Sequence, residues 1–221
     1  MTTEAMDSGT PVRVPNRLRQ RLPAALRVSQ ILDAALAAFA EQGYAATRMD
    51  EIARRAGLSK GGLYAHFTSK EEVFEALLNR ALARPDFVKD PPRPGTGAPE
   101  LAKWLVERLY AGLGSAQSQA ALRLLIAEGV RVPHLVTRWH QEVMGPALDS
   151  LQALLCRHVQ AGAPAGAQLL AQEHWLVLAP ALHAIVAQLI FGSTGAPGLD
   201  AYKAAHLRLL QVLLAGSATA S

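Results

Sequence analysis

Residues 52–63, IARRAGLSKGGL, carry the pattern of two short helices that cross at a tight turn. Ala53 is small enough to let the two helices approach closely, and Gly57 can adopt the left-handed backbone that the turn requires. Three apolar side chains would hold the helices together: Ile52, Leu58 and Leu63. This spacing predicts a helix-turn-helix.

Two adjacent glycines, Gly61 and Gly62, fall in the first turn of the second helix. Because an interior glycine costs a helix about 1 kcal/mol relative to alanine, the pair indicates that something comes close to the backbone there. In DNA-binding units of this kind, the start of the second helix lies against base edges in the major groove. A helical hairpin without a role in DNA binding would show the same spacing.

Positive charge is concentrated around this unit. The segment 11–70 holds ten Lys or Arg residues against four Asp or Glu residues, whereas the whole chain of 221 residues has a formal charge of +4. A local positive surplus suits a polyanion such as nucleic acid. Five arginines predict a basic arm for phosphate or the minor groove: Arg13, Arg17, Arg19, Arg21 and Arg27.

The remainder of the chain predicts helices and no strand. Apolar spacing favours a helix from Leu26 to Gly43, and capping patterns predict helices that begin after Thr47, Ser59 and Ser69, the last of them running to about Arg84. A loop rich in proline and glycine follows. Beyond it, further helices are predicted at roughly 100–114, 117–130, 133–161, 166–192 and 200–215.

The segment 31–74, ILDAALAAFAEQGYAATRMDEIARRAGLSKGGLYAHFTSKEEVF, resembles the DNA-binding domain of TetR/AcrR-type transcriptional regulators. The pieces that carry the resemblance are FAEQGY, the helix and turn TRMDEIARRAG, SKGGLYAHF and SKEEVF. The resemblance implies a homodimer that binds a palindromic operator in double-stranded DNA and is released by a small-molecule effector. Repression is the commoner outcome in that family, and the sequence leaves activation open.

The expected fold is therefore all-α, with an N-terminal three-helix helix-turn-helix domain followed by a larger helical domain for ligand binding and dimerisation. The expected boundaries are a disordered basic arm at 1–22, the DNA-binding domain with its linking helix at 23–84, and a loop at 85–99. The effector-binding and dimerisation domain would occupy 100–216, with a tail at 217–221.

The resemblance also implies roles for individual residues. Thr47 would cap its helix and contact phosphate, the start of the second helix would face bases, and three side chains beyond it would hold the DNA backbone. The candidate DNA-binding residues are Arg19, Arg21, Thr47, Arg48, Lys60, Gly61, Gly62, Tyr64, His66 and Lys70. Two positions depart from the family pattern: Ala65 and Gly62 stand where relatives often carry larger side chains that contact DNA.

Helical spacing and apolar content predict two further sites, an effector pocket and a dimer interface. Aromatic and polar side chains in the middle of apolar helices would line an effector pocket for an apolar or aromatic molecule: Trp104, Tyr110, Trp139, His140, Met144, Trp175 and His183. Apolar positions on the last two predicted helices would form a four-helix dimer interface: Leu182, Val186, Ile190, Leu207, Leu210 and Leu214. Packing inside one subunit is the alternative for both sets.

Other classes of protein, such as enzymes and architectural DNA-binding proteins, have weaker support from the sequence. The chain lacks the zinc-protease, P-loop and serine-hydrolase motifs, so neither an enzyme nor a metal or cofactor site is expected. A DNA-coating architectural protein without an effector would not need the large apolar C-terminal half. The apolar run 175–191 is predicted as a helix buried in protein rather than in a membrane. The lone Cys156 and the absence of a signal peptide favour a cytoplasmic location.

Overall fold

The computed structural model describes residues 23–82, 85–111, 115–159 and 162–216, and within these ranges every regular element is helical. The all-α prediction is confirmed. The first four helices are α1 (Ala24–Ala46), α2 (Met49–Arg55), α3 (Lys60–Tyr64) and α4 (Lys70–Ala81). The others are α5 (Ala98–Tyr110), α6 (Ala116–Glu128), α7 (Pro133–Trp139), α8 (Gly145–His158), α9 (Ala165–Gln172), α10 (Ala179–Gly195) and α11 (Leu199–Ala215).

The predicted starts of α3 and α4 are confirmed. The Ser59 hydroxyl accepts a hydrogen bond from the Gly62 N–H at 3.1 Å, and the Ser69 hydroxyl accepts one from the Glu72 N–H at 3.1 Å. Each bond satisfies a backbone donor that has no partner inside its helix. α4 ends at Ala81, earlier than predicted, and residues 83 and 84 lie outside the described ranges.

The predicted cap at Thr47 is wrong. α2 begins after Arg48, and no side chain caps it. The Thr47 side chain is instead 1% exposed, and its hydroxyl donates to the carbonyl oxygens of Ala38 (3.2 Å) and Gly43 (2.8 Å). Thr47 therefore closes the end of α1. Gly43, where the sequence predicted the end of this helix, has a φ of 78° and interrupts the helical backbone three residues before Ala46.

Two long helices predicted in the C-terminal half are interrupted. Between α7 and α8, residues His140–Met144 form one turn of π-helix immediately before Gly145 and Pro146. Proline has no N–H and its ring crowds the preceding turn, so a widened turn accommodates it. The helix predicted at 166–192 is broken into α9, a 3₁₀ turn at His174–Val177 and α10, with Pro180 in the first turn of α10.

Two hydrophobic cores hold the helices together. The first combines α1–α4 with side chains from α6 and α7, including Ala121, Leu124 and Leu135. The second combines α5 and α8–α11 with Phe87 from the loop. α6 and α7 thus pack on the helix-turn-helix unit although they lie beyond the proline-rich loop.

Polar contacts reinforce the packing of α6 and α7 on the N-terminal unit. Arg138 on α7 forms an ion pair with Glu75 on α4, and His134 lies 3.7 Å from Glu71. The Ser118 hydroxyl of α6 donates to the Ala81 carbonyl at 2.8 Å. Polar contacts as well as apolar packing therefore connect α6 and α7 to α4.

The apolar run that begins at Trp175 does not form a membrane-length helix. Within the described residues, no helix combines the length and the apolar content that a bilayer span requires. Within one subunit this run is buried only in part, because Leu182, Ile190 and Phe191 on α10 are more than half exposed.

Candidate functional site

The turn between α2 and α3 has the predicted geometry. Gly57 has a φ of 66°, and the Leu58 N–H donates to the Ala53 carbonyl at 2.8 Å. Ile52, Ala53 and Leu63 are at most 2% exposed, so α3 is fixed against α2 by its buried side. The opposite side of α3 faces solvent.

The adjacent glycines differ in what surrounds them. A Cβ atom added to Gly62 would lie 3.2 Å from the Ser59 hydroxyl, so the cap itself leaves little room for a side chain. A Cβ added to Gly61 would meet nothing within 4 Å, and Gly61 is exposed with an ordinary helical backbone. The fold therefore explains a small residue at Gly62 and gives no reason for one at Gly61.

One open groove beside α3 is bordered by the exposed side chains of Arg48, Lys60 and Tyr64, together with the exposed carboxylate of Asp50. The Lys60 ammonium lies 3.2 Å from the Asp50 carboxylate and 6.0 Å from the centre of the Tyr64 ring. Because both members of the Lys60–Asp50 pair are well exposed, water screens their attraction. Lys60 can consequently exchange Asp50 for another anion at little cost.

Lys70, which lines the same groove, has a structural role that the sequence did not predict. Its ammonium donates to the carbonyl oxygens of Tyr44 (2.7 Å), Ala45 (3.1 Å) and Thr47 (2.9 Å) and lies 4.4 Å from the centre of the Tyr44 ring. All three ammonium hydrogens are thus engaged at the end of α1. Burial lowers the pKa of Lys70, while the Glu128 carboxylate raises it.

The other predicted DNA-binding positions lie in three kinds of place. The Thr47 hydroxyl is buried and bonded to the end of α1, so it does not point to the surface beside α3. His66 is half-buried just beyond α3. Arg19 and Arg21 lie outside the described residues.

An ion-pair network fixes α2 to α1. Arg55 bridges Glu51 on its own helix and Glu41 on α1, with both N–O distances at 2.6 Å, and Arg54 also pairs with Glu51 at 2.7 Å. Hydrogen bonds from Arg54 and then Arg55 lower the pKa of Glu51 to about 2. Glu51 therefore stays charged across the physiological range and keeps these arginines oriented.

A cavity of about 190 Å³ lies where α4, α5, α6 and α10 meet the turn before α8. Its lining is almost entirely apolar, and Trp139 and Met144 are the predicted pocket residues that it contains. Among the described residues, the lining is Ala81, Leu82, Pro85, Leu109, Ser118, Leu122, Leu125, Trp139, Met144, Leu178, Ala181, Leu182 and Ile185.

The remaining predicted pocket residues do not line this cavity. Trp104 packs against Phe87, and its indole donates to the Asp90 carbonyl at 3.0 Å. Tyr110 is 7% exposed in the second core. Exposed positions are occupied by His140, Trp175 and His183.

The predicted dimer face needs a correction on α11. Leu210 and Leu214 are 1% and 8% exposed, because they pack into the second core of their own subunit, and Leu207 is half-buried against that core. The exposed apolar side chains of α11 are Leu209 and Val212. The sequence missed them because the apolar stripe of α11 meets the subunit's own core.

The α10 part of the predicted face is accessible. Leu182 and Ile190 are 54% and 66% exposed, Val186 is half-buried, and Phe191 adds a further exposed ring at 59%. α10 and α11 pack side by side, so the two helices present apolar side chains on neighbouring surfaces.

Comparisons with known protein sequences match the N-terminal helix-turn-helix unit. Residues 31–77 match the family model for bacterial regulatory proteins of the tetR family. The transcriptional activator FasR from Mycolicibacterium smegmatis is 52% identical over 65 residues, 29% of this chain and 30% of that protein. A helix-turn-helix transcriptional repressor from Mycobacterium tuberculosis is 48% identical over 52 residues, 24% of this chain and 26% of that protein.

The matched segments span less than a third of the length of these two relatives. A solved structure extends the likeness beyond them. A TetR-family transcriptional regulator from Mesorhizobium loti is 26% identical, with 86% of this chain and 96% of that chain covered and a TM-score of 0.61. Residues 31–77 therefore carry the DNA-binding segment of bacterial regulatory proteins of the tetR family, and the rest of the chain is similar in fold to the Mesorhizobium loti regulator.

Proposed function

We propose that this protein is a sequence-specific transcriptional regulator that binds a palindromic operator through α3. The observation that carries the proposal is the exposed Gly61, whose missing side chain the fold does not require. Close approach of a base edge or a phosphate accounts for the glycine. Arg48, Lys60 and Tyr64 border the same surface and supply two cations and a hydroxyl for phosphate contacts.

A palindrome is read by two copies of the chain, each placing one α3 in a major groove. The exposed apolar side chains of α10 and α11 support a homodimer, since a monomer gains nothing by leaving them in water. We assign the dimer face to Leu182, Val186, Ile190, Phe191, Leu209 and Val212.

We further propose that a small molecule in the cavity releases the protein from DNA, and that the regulator acts as a repressor in the cytoplasm. The cavity supports an effector because Ala81, the last residue of α4, forms part of its wall. The two curated relatives include an activator and a repressor. The sign of regulation depends on where the operator lies relative to the promoter.

Selection of genomic DNA fragments by the purified protein tests this function. The wild type is compared with a Lys60→Ala, Tyr64→Ala double variant and with Lys103→Ala, an exposed lysine on α5 that pairs with Glu107 and lies outside the α3 groove. We expect one palindromic site from the wild type and from Lys103→Ala, and none from the double variant. Equal recovery of all fragments by the three proteins would contradict sequence-specific binding.

A further inference from the structure

One acidic side chain borders the surface that is proposed to meet DNA. The Asp50 carboxylate lies in the groove beside α3, its side chain is 63% exposed, and it is 3.2 Å from the Lys60 ammonium. Lys60 directly precedes Gly61, where the proposed function brings DNA close to the backbone. A carboxylate at this place repels phosphate, so phosphate binding alone does not explain it.

The fold makes little use of the Asp50 carboxylate. Within the described part of the chain it accepts no backbone N–H, and its partner is the exposed Lys60. The neighbouring Glu51 already supplies negative charge at the start of α2 and accepts hydrogen bonds from Arg54 and Arg55. Because an exposed pair such as Asp50–Lys60 adds little stability, Asp50 is available for a contact with DNA.

The edges of the DNA bases differ in what they offer a carboxylate. In the major groove cytosine presents the N4 amino group, which is a donor, whereas guanine and thymine present acceptors. Adenine has an N6 donor beside the N7 acceptor, and N7 repels a carboxylate. Cytosine is consequently the best partner for Asp50 among the four bases.

Lys60 complements Asp50 on the same base pair. A lysine ammonium has three N–H donors, so Lys60 can keep Asp50 and still donate to two further acceptors. The guanine paired with cytosine offers O6 and N7. Cytosine N4 and guanine O6 are hydrogen-bonded to each other and therefore lie about 2.9 Å apart, close to the 3.2 Å between the Asp50 carboxylate and the Lys60 ammonium. The ion pair thus presents an acceptor and a donor at the spacing that a C·G pair requires.

We propose that Asp50 is a base-reading residue, and that the Asp50–Lys60 pair recognises one C·G base pair in each half of the operator. This assignment rests on the proposed function and adds the identity of one base pair to it. Specificity is a difference between affinities, and the carboxylate contributes to it twice. It accepts a hydrogen bond from cytosine N4, and it weakens binding to DNA that offers it only phosphates. Arg48 and Tyr64 remain available for phosphate contacts.

Substitution of single base pairs in the selected operator tests the assignment. Fluorescence anisotropy at low salt measures the affinities of the wild type, Asp50→Ala, Lys60→Ala and Glu107→Ala for fragments in which each base pair of both half-sites is changed in turn. Glu107 is an exposed carboxylate on α5, so its removal changes the net charge equally but outside the groove. At one C·G position, a change to T·A should weaken the wild type and Glu107→Ala roughly 5- to 150-fold per half-site. Asp50→Ala and Lys60→Ala should both lose discrimination at that same position and keep their preferences elsewhere.

A modified base isolates the contact between Asp50 and cytosine. N4-methylcytosine at that position still pairs with guanine, but a methyl group replaces the amino hydrogen that faces the major groove. The modification should weaken binding by the wild type and by Lys60→Ala, whereas Asp50→Ala should bind the methylated and unmethylated fragments equally. Because each comparison is made within one protein, it does not depend on how much affinity a variant has lost overall.

The outcomes separate this assignment from the proposed function. If the wild type selects no preferred fragment, both fail. If Asp50→Ala binds every fragment more weakly and keeps the wild-type base preferences, Asp50 only positions Lys60, and the base-reading role alone is overturned. That role is also overturned if the position relaxed in Asp50→Ala is not a C·G pair, or if it differs from the position relaxed in Lys60→Ala.

Discussion

Replacing Gly61 by alanine should make the protein more stable and a poorer DNA binder. In the free protein the new methyl group meets no atom within 4 Å, and the backbone at Gly61 is already helical. Alanine then gains the helix propensity that glycine lacks and restricts the unfolded chain, so we expect about 0.5–1 kcal/mol of added stability. For a chain of this length, the melting temperature should rise by roughly 1–4 °C.

On DNA the same methyl group has to fit where a base edge or phosphate approaches α3. Overpacking of a close interface costs about 1–3 kcal/mol, and each subunit of a dimer would bear that cost. One subunit alone corresponds to a loss of roughly 5- to 150-fold in affinity. Fluorescence anisotropy with the selected operator fragment measures this loss, and calorimetry measures the melting temperature.

Gly62→Ala is the matched comparison. Its methyl group would lie 3.2 Å from the Ser59 hydroxyl, which accepts the Gly62 N–H, so the helix gain should be cancelled by strain at the cap. For Gly61→Ala we therefore expect stability to rise and DNA affinity to fall. Operator binding within twofold of the wild type by a stabilised Gly61→Ala would refute this expectation.

Three further predictions concern the rest of the molecule. Lys70→Met should lower the free energy of unfolding by about 2–3 kcal/mol, because three carbonyl oxygens lose their donor, whereas Lys60→Met should leave the urea midpoint unchanged. Leu209→Lys should give a folded monomer in light scattering with a native circular dichroism spectrum, and Leu210→Lys should lose the folded spectrum, because only the second leucine is core. Burial lowers the pKa of His206 from 6.5 to about 4, so the folded state loses stability as the pH falls from 6.5 towards 4. The loss should be about 1–3 kcal/mol in urea unfolding curves, and His206→Leu should remove it.

Local signals were sufficient for the helix-turn-helix. The left-handed turn at Gly57, the small residue at Ala53 and the serine caps of α3 and α4 each depend on residues within five positions of one another. Interactions between residues so close in the chain can be predicted from the sequence spacing alone. The predicted start of α2 failed because the Thr47 hydroxyl finds better acceptors behind it, at the end of α1.

Long-range contacts account for what the local patterns did not predict. A lysine near the start of a helix is typical of a phosphate ligand, and only the fold brings carbonyl groups about 25 residues earlier within reach of Lys70. The apolar stripe of α11 was correctly found, but periodicity does not say whether Leu210 meets its own subunit or a second one. Trp139 and Trp104 are equivalent by composition, and only packing places the first of them on the cavity.

One helix connects the cavity with the surface proposed to meet DNA. The last residue of α4, Ala81, lines the cavity, and its carbonyl accepts from Ser118 on α6. The first residue, Lys70, holds the carbonyl groups of residues 44, 45 and 47, which directly precede α2. With 12 residues, α4 is about 18 Å long. Its apolar side is buried in the first core. We expect a ligand that displaces Ala81 to shift Lys70 and, with it, the start of α2 and the orientation of α3.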